Sequence, residues 1–349
     1  NLNLPLDTVE ALAWGSNLDW GFDKHPPLSA IVVQFIYLIF GPQDWVYYLL
    51  SQIFVIIAFI YVWKLSEEIF SEKIFSLISL FVLEGIYFYN FTTPEFNVNV
   101  CQLPLWALTV YYFWKSIKTD KILNWTLFGV FSALGFLSKY LFIYLLLAIF
   151  IYFLFTLKIN KKLIFKYLLS VIISLLILTP HFYWLIKNDF ITIFYGFNRT
   201  GLINYNFINH IVNPLFFIFK QIAILSPVFF MIFILLNKIK IKFNLKNRKT
   251  VFLLFINLVP ILLMFATTLF TGAKIRTMWM TPFYLFTGVL LIDLFKKNIS
   301  FINLKKFYIA FLFFLILSPA LYLTISLSDN TKRTDYPGKE IARLVQNKW

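Results

Sequence analysis

Long apolar runs separated by short polar turns follow one another along almost the whole chain. A bilayer core requires about 20 mainly apolar residues per spanning helix, and about ten runs approach or exceed that length. The pattern therefore predicts an all-α polytopic membrane protein. The candidate spans cover residues 45–63, 74–93, 99–115, 122–138, 141–158, 164–182, 213–237, 250–271, 278–295 and 307–327.

The segment before these spans has a different character. Its apolar stretch 28–40 is too short to cross a bilayer and is separated from the next run by a Gly-Pro pair, so we expect a helix in the interface or buried against the bundle. The organisation predicted is an outer first loop with juxtamembrane helices and the active site (1–44), a transmembrane bundle (45–327) and the start of a C-terminal outer domain (328–349). Because the chain starts without Met and ends in a polar stretch, we also expect a span before it and a hydrophilic domain after it.

Composition agrees with a lipid solvent, since 60% of the residues are hydrophobic and 13% are charged. The net charge of +15 comes largely from basic residues that cluster between alternate spans. By the positive-inside rule those turns are cytoplasmic, and the opposite turns lie on the outer side of the membrane. Anionic lipid headgroups are natural counterions for the basic turns, so the charge does not indicate a nucleic-acid partner.

The sequence offers little for metal or redox chemistry. Its single cysteine, Cys101, allows no internal disulfide and no cysteine-based metal site. The three histidines, His25, His181 and His210, contain no pair at ligand spacing. We therefore predict no metal and no cofactor, although a divalent ion remains compatible with the chemistry below.

Candidate chemistry is densest in the first loop. Asp7 and Glu10 stand at i,i+3, which places both carboxylates on one side of a short helix. Beside a membrane surface either can act as a general base, although a solvated helix face is the alternative explanation. Lys24 and His25 precede a rigid Pro-Pro corner, an arrangement suited to holding an anion, while a lysine that only contacts lipid headgroups is the alternative.

Further polar residues border the spans on the same side. Glu95 and Asn99 lie one helical turn apart at a span entrance, where polar groups are costly unless they face a cavity or a partner. Lys139 falls where two apolar runs meet and is expected to point into the bundle. A looser polar group lies on the same side: His181, Asn188, Asp189, His210, Lys274, Arg276 and Trp279. Each basic residue of this group is a candidate phosphate contact, although a topological cap or a satisfied polar residue is the favoured explanation for each one alone.

Carboxylates, cations and a lipid-accessible bundle on one face suit a lipid-phosphate substrate. A sugar on a polyprenyl phosphate has a good leaving group, so transfer requires mainly one base and fixed positive charge on the departing phosphate. A lipid or solute transporter is the alternative from another class, and a structural membrane subunit is a third. A transporter is expected to show internal repeats and charges on both sides of a central cavity, whereas the polar motifs here concentrate on one side.

The chain resembles a known family in the motifs DTVE (7–10), KHPPL (24–28), PEFNVN (94–99) and LGFLSKY (134–140). These are similar to GT-C glycosyltransferases of the dolichyl-phosphate-mannose-protein mannosyltransferase-like superfamily. Within it, the chain is similar to the transferases that add aminoarabinose, galacturonic acid or galactosamine to lipid A or lipopolysaccharide. Because His25 separates Lys24 from the proline pair, the galacturonic acid branch fits better than the aminoarabinose branch.

The resemblance implies a GT-C bundle and an inverting transferase that moves a sugar from a polyprenyl-phosphate donor to lipid A or another glycan acceptor. It also implies a bacterial inner membrane, with the active site facing the periplasm. It places the catalytic carboxylate on Asp7, with Glu10 as a further acid, and the donor phosphate on Lys24. Lys139 and Arg276 are expected to assist in phosphate binding. The substrate-binding residues predicted are His25, Glu95 and Asn99.

Overall fold

The computed structural model describes residues 3–158, 160–202, 206–240, 244–328 and 334–348. Within these ranges the only β pairing is an isolated antiparallel bridge between Leu236 and Ile299, so the predicted all-α class is confirmed. The helices are α1 (Leu6–Ser16), α2 (Leu28–Phe40), α3 (Asp44–Ile69), α4 (Lys73–Phe81), α5 (Val98–Thr119), α6 (Ile122–Ser138), α7 (Ile143–Thr156), α8 (Lys161–Lys187), α9 (Ile191–Thr200), α10 (Asn209–Leu235), α11 (Arg248–Thr271), α12 (Thr287–Phe295), α13 (Leu304–Ser328) and α14 (Gly338–Gln346).

Five helices in the described part of the chain are long and apolar enough to cross a membrane: α3, α8, α10, α11 and α13 with the short turn before it. A sixth span is formed if the 3-10 helix Thr277–Tyr284 and the helix that follows count as one, although these two pieces are bent by 52°. The predicted spans 99–115, 122–138 and 141–158 are helical as α5, α6 and α7. The prediction of about ten crossings stays a prediction.

The segment 74–93, predicted as one span, is not a single helix. α4 ends at Phe81, and two short 3-10 turns follow where Gly85 packs directly on the backbone of α10. Irregular backbone at membrane depth requires internal hydrogen-bond partners. Asn90 supplies them, because its Nδ2 donates to the backbone oxygen of Glu84 at 2.8 Å and to its carboxylate at 2.9 Å.

The core of the bundle lies around α5, which packs between α3 and α6. Trp106 of α5 is fully buried between the rings of Phe142 and Phe283, whose centroids lie 5.5 and 5.0 Å away. At the outside, α8 packs on α6 through small residues, since a Cβ on Gly129 would lie 2.5 Å from the Ser170 carbonyl oxygen. Tight packing at the centre and apolar faces outside are what a membrane bundle requires.

The two short helices of the first loop, α1 and α2, pack on each other at one end of the bundle. α1 is fixed to the turn before α5, because the buried Thr8 hydroxyl donates to the Phe96 carbonyl at 2.8 Å. α2 buries Ala30 and Val33 and exposes Leu38 on its other side. The first loop therefore forms a helical layer over the start of α5, and the candidate site lies beneath that layer.

Candidate active site

A cavity of about 190 Å³ lies between α1, the 17–27 loop, the first turn of α5 and α9; we call it the active-site cavity. Most of the predicted site residues meet there, although they come from segments far apart in the chain. They are Asp7, Glu10, Lys24, His25, Asn99, Lys139 and Arg276. Glu95 lines an adjoining cavity of about 360 Å³, together with Asp7 and Asn99. The functional roles of these residues stay predictions.

The helical form of α1 places its acids in the cavity. Asp7, Glu10 and Trp14 stand at i, i+3 and i+7, which is one face of an α-helix, and all three line the cavity. The opposite face of α1 holds Thr8, whose hydrogen bond to the turn before α5 fixes the rotation of the helix. Two carboxylates therefore enter the cavity from a single rigid element.

Lys24 faces these acids from the loop. Its ammonium group forms an ion pair with the Glu10 carboxylate, and that hydrogen bond raises the pKa of Lys24 above its ordinary value. The stem of the loop packs on Trp14, whose ring stacks on Phe22 with centroids 5.1 Å apart. Lys24 is thus a permanent cation in a fixed position beside the carboxylates.

Contacts with α8 and α9 hold the same loop from the other side. The Trp184 indole donates to the Asp19 carboxylate at 2.7 Å, and the Thr192 hydroxyl donates to the Phe22 carbonyl at 2.6 Å. Gly21 is required at its position, because a Cβ there would lie 2.3 Å from the ring of Trp184. The loop is therefore a supported element in spite of its irregular backbone.

Lys139 enters the cavity from the turn after α6 and is buried. Its Nζ donates to the Asn99 side-chain oxygen at 2.5 Å and lies 5.1 Å from the ring centroid of Trp279. Burial lowers the pKa of Lys139 to about 7, with partial compensation from the negative charge of Asp7. An anion bound beside Lys139 would favour its charged form.

His25 carries no charge at neutral pH. Burial, and then the positive charges of Lys139 and Lys24, lower its pKa to about 3. Its ring packs edge-on against Trp14 and Tyr195, with centroids 6.0 and 6.5 Å away. His25 can therefore exchange hydrogen bonds with a substrate, while the cations supply the charge.

Two lining residues, Tyr195 and Arg199, were missed by the sequence analysis. They lie on α9, in the stretch 183–212 between the predicted spans 164–182 and 213–237. Their i,i+4 spacing places both on one helix face, a signal that the aromatic-rich composition of this stretch obscures. The stretch 183–212 is therefore partly helical.

Of the weaker polar candidates, Trp279 lines the active-site cavity, whereas His181 and His210 do not. Nε2 of His181 is 2.9 Å from the Tyr140 hydroxyl and Nδ1 is 2.5 Å from the Trp20 carbonyl, while Nδ1 of His210 is 3.0 Å from the Leu269 carbonyl. These histidines connect helices. Among the described residues no group of three or more His, Cys, Asp or Glu side chains is placed to hold a metal ion.

Part of the chain matches a known protein family. Residues 24–184 match the family model described as dolichyl-phosphate-mannose-protein mannosyltransferase. This stretch includes Lys24, His25, Asn99 and Lys139 of the active-site cavity. Asp7, Glu10 and Arg276 lie outside it. No curated protein sequence matches the chain.

The fold is similar to that of two solved structures. The crystal structure of ArnT from Cupriavidus metallidurans bound to undecaprenyl phosphate has a TM-score of 0.66 and 13% identity, over 95% of this chain and 63% of that one. The same enzyme in the apo state has a TM-score of 0.63 and 14% identity, over 95% and 62%. The chain thus spans less than two thirds of ArnT. These matches confirm the GT-C fold and the predicted resemblance to GT-C glycosyltransferases.

Proposed function

We propose that this protein is a membrane glycosyltransferase that moves a sugar from a polyprenyl-phosphate donor to an envelope acceptor, with lipid A or lipopolysaccharide as the expected acceptor. One observation carries the proposal. The active-site cavity combines two carboxylates of α1 with Lys24, Lys139 and Arg276 at one end of a membrane bundle. The ArnT structure with undecaprenyl phosphate supports a lipid-phosphate donor for a chain of this fold.

The donor phosphate is assigned to the cations of the cavity. Lys24 is oriented by Glu10, and Lys139 is oriented by Asn99, so both ammonium groups are held before the substrate arrives. Preorganised positive charge stabilises the negative charge that develops on a departing phosphate. The apolar part of the donor extends into the lipid-facing bundle, where burial of its chain favours binding.

Asp7 is the proposed base. It accepts the proton of the acceptor hydroxyl or phosphate, whose oxygen forms a bond to the anomeric carbon while the bond from that carbon to the donor phosphate breaks. A single displacement of this kind inverts the anomeric configuration. Glu10 acts mainly through Lys24, while His25, Glu95 and Asn99 are proposed to contact the sugar or the acceptor. No metal or cofactor is part of this scheme.

The test is mass spectrometry of lipid A and other envelope glycans from cells with the gene, without it, and with an Asp7→Asn copy. We expect the deletion to lose one sugar-sized mass, the wild-type gene to restore it and Asp7→Asn to fail. A Glu67→Gln copy is a matched control, since Glu67 is exposed and lines none of the cavities described here. Full restoration by Asp7→Asn would remove Asp7 from the mechanism. Unchanged glycans with altered lipid or solute export would favour a transporter.

A further inference from the structure

One buried hydroxyl of the active-site cavity has no role in the scheme above. Ser29 lines that cavity from the first turn of α2, and only 1% of its surface is exposed. Its Oγ has no hydrogen-bond partner within the part of the chain that the structure describes. A hydroxyl that is shielded from water and left unpaired is destabilising, so such a group calls for a partner from outside the chain.

The position of Ser29 in α2 explains why its hydroxyl has no local acceptor. A buried serine in a helix can donate to the carbonyl one turn earlier, as Ser79 does to the Phe75 carbonyl at 2.7 Å. One turn before Ser29 stands His25, which precedes the helix and whose carbonyl accepts from the Phe22 amide at 3.1 Å. The turn that carries the Lys-His pair therefore keeps the serine hydroxyl available.

Two other serines show what is particular to Ser29. Ser76 of α4 and Ser132 of α6 are also buried, and among the described residues their hydroxyls likewise have no partner. Neither serine lines either of the two cavities described here. An unpaired hydroxyl thus occurs elsewhere in the bundle as a packing group. Ser29 differs from both because it belongs to the wall of the active-site cavity.

The place of Ser29 in the cavity corresponds to the sugar of a bound donor. In the proposed reaction the anomeric carbon lies between the phosphate held by Lys24 and the acceptor activated by Asp7. Ser29 connects these two sides, since it follows Lys24 by five residues and lies in the turn of α2 that packs on α1. A Cβ on Gly15 of α1 would lie 3.2 Å from the Ala30 carbonyl.

We propose that the Ser29 hydroxyl forms a hydrogen bond with a hydroxyl group of the transferred sugar, which makes Ser29 a specificity-determining residue. This inference rests on the proposed function, which places a sugar-bearing polyprenyl phosphate in the cavity. A serine hydroxyl and a sugar hydroxyl can each donate and accept, so the sugar satisfies the group that the protein leaves unpaired. A sugar without that hydroxyl is rejected, because the buried Ser29 group then stays unpaired.

Competition between lipids with and without a sugar tests this contact independently of transfer. The purified full chain in detergent is given undecaprenyl phosphate together with polyprenyl-phosphate sugars extracted from the deletion strain, and native mass spectrometry identifies the bound lipids by mass. We expect wild type to prefer the sugar-bearing lipid and Ser29→Ala to reduce that preference about tenfold, the loss of one hydrogen bond. Binding of undecaprenyl phosphate alone should not change.

Ser132→Ala is the matched control, because it removes a buried, unpaired hydroxyl that lies away from both cavities. Each variant should keep or slightly raise the Tm, since each removes a buried polar group without a partner. Weaker sugar recognition at unreduced stability is a combination that a packing role for Ser29 does not produce. A Tm for Ser29→Ala well below that of wild type would therefore overturn the inference.

The remaining outcomes separate this inference from the proposed function. Equal weakening of both lipids by Ser29→Ala would assign the hydroxyl to the phosphate, and an unchanged preference, or no preference in wild type, would mean that Ser29 does not contact the sugar; all three results overturn the inference. A wild-type protein that shows the expected preference and transfers no sugar to any envelope lipid would contradict the proposed function and leave the sugar contact standing.

Discussion

At the residue scale, the two lysines of the active-site cavity are different kinds of cation. Lys24 is half-buried and paired with Glu10, which raises its pKa, whereas burial lowers the pKa of Lys139 to about 7. Lys24 is therefore charged throughout the physiological range. The charge of Lys139 depends on pH and on what is bound beside it.

Replacing Lys24 by alanine should weaken use of the donor. The variant loses one charge-assisted contact to the phosphate, so we expect the KM for the polyprenyl-phosphate sugar to rise about tenfold or more. Steady-state kinetics at varied donor concentration measure this, with Lys187→Ala, at an exposed lysine near the outer end of α8, as the control. An unchanged KM for the donor would contradict a phosphate role for Lys24.

Donor binding should weaken as the pH rises above about 7. A phosphodiester donor has no proton to lose near neutrality, and it binds best to the charged form of Lys139. Above the pKa of Lys139, about 7, the free protein must take up a proton before or as the donor binds. The KM for the donor therefore rises by up to about tenfold per pH unit. Lys24 stays charged and His25 stays neutral in this range. The KM profile of Lys139→Met should be flat. A profile that keeps the wild-type slope in this variant would assign the titration to another group.

Sequence alone predicted the acids of α1 better than the residues of α9. Asp7 and Glu10 could be placed on one face because helical spacing is local. Tyr195 and Arg199 were missed, since they stand in an aromatic-rich stretch and gain their setting only when distant segments meet. The contact of Lys139 with Asn99 is likewise a product of the assembled bundle.

At the element scale, the 17–27 loop positions the active-site cavity through its contact with α8. Replacing Gly21 by alanine drives a methyl group into the Trp184 ring, and overpacking of this kind costs about 1–3 kcal/mol. We expect a lower Tm and reduced transfer, because the same loop carries Lys24. Thermal unfolding in detergent and a transfer assay measure the two effects.

Gly196→Ala is the control for this prediction. Gly196 lies on α9, and a Cβ there meets nothing within 4 Å. Its activity should equal that of the wild type, and its Tm should be unchanged or slightly higher, because alanine is favoured over glycine in a helix interior by about 0.5–1 kcal/mol. If both glycine variants behave alike, the packing of Gly21 on Trp184 does not position the site.

The helices themselves were largely predictable, and their interruptions were not. Apolar runs identify membrane helices because the bilayer demands local backbone hydrogen bonding. The break after Phe81 depends on close packing of Gly85 against α10, and the 52° bend before α12 arises within the apolar run 278–295. Neither the packing of Gly85 nor the bend before α12 can be read from the hydropathy of the apolar run in which it occurs.

At the scale of the whole molecule, charge asymmetry predicts the orientation of the bundle. Asn17 lies in the first loop at the end that carries the active-site cavity, and Lys121 lies in a basic turn; both are exposed. We expect a membrane-impermeant maleimide to label Asn17→Cys from the periplasm and Lys121→Cys only after permeabilisation. The native Cys101 is buried and gives little background. The reverse labelling pattern would place the site in the cytoplasm.

The GT-C fold was predicted from the resemblance of a few short motifs to a known superfamily, and the structural match to ArnT confirms the fold. The full lining of the active-site cavity was not predictable in this way. It depends on how α1, α9 and the stretch before Thr277 converge, and no single segment of sequence records that convergence.

The most direct test of the central claim is transfer by the purified protein. Wild-type protein and Asp7→Asn are incubated with the envelope lipids of the deletion strain, and the products are followed by liquid chromatography and mass spectrometry. We predict that wild type releases polyprenyl phosphate while one acceptor lipid gains a sugar-sized mass, and that Asp7→Asn does neither. Absence of both products with wild type, or equal yields from the two proteins, would contradict the account.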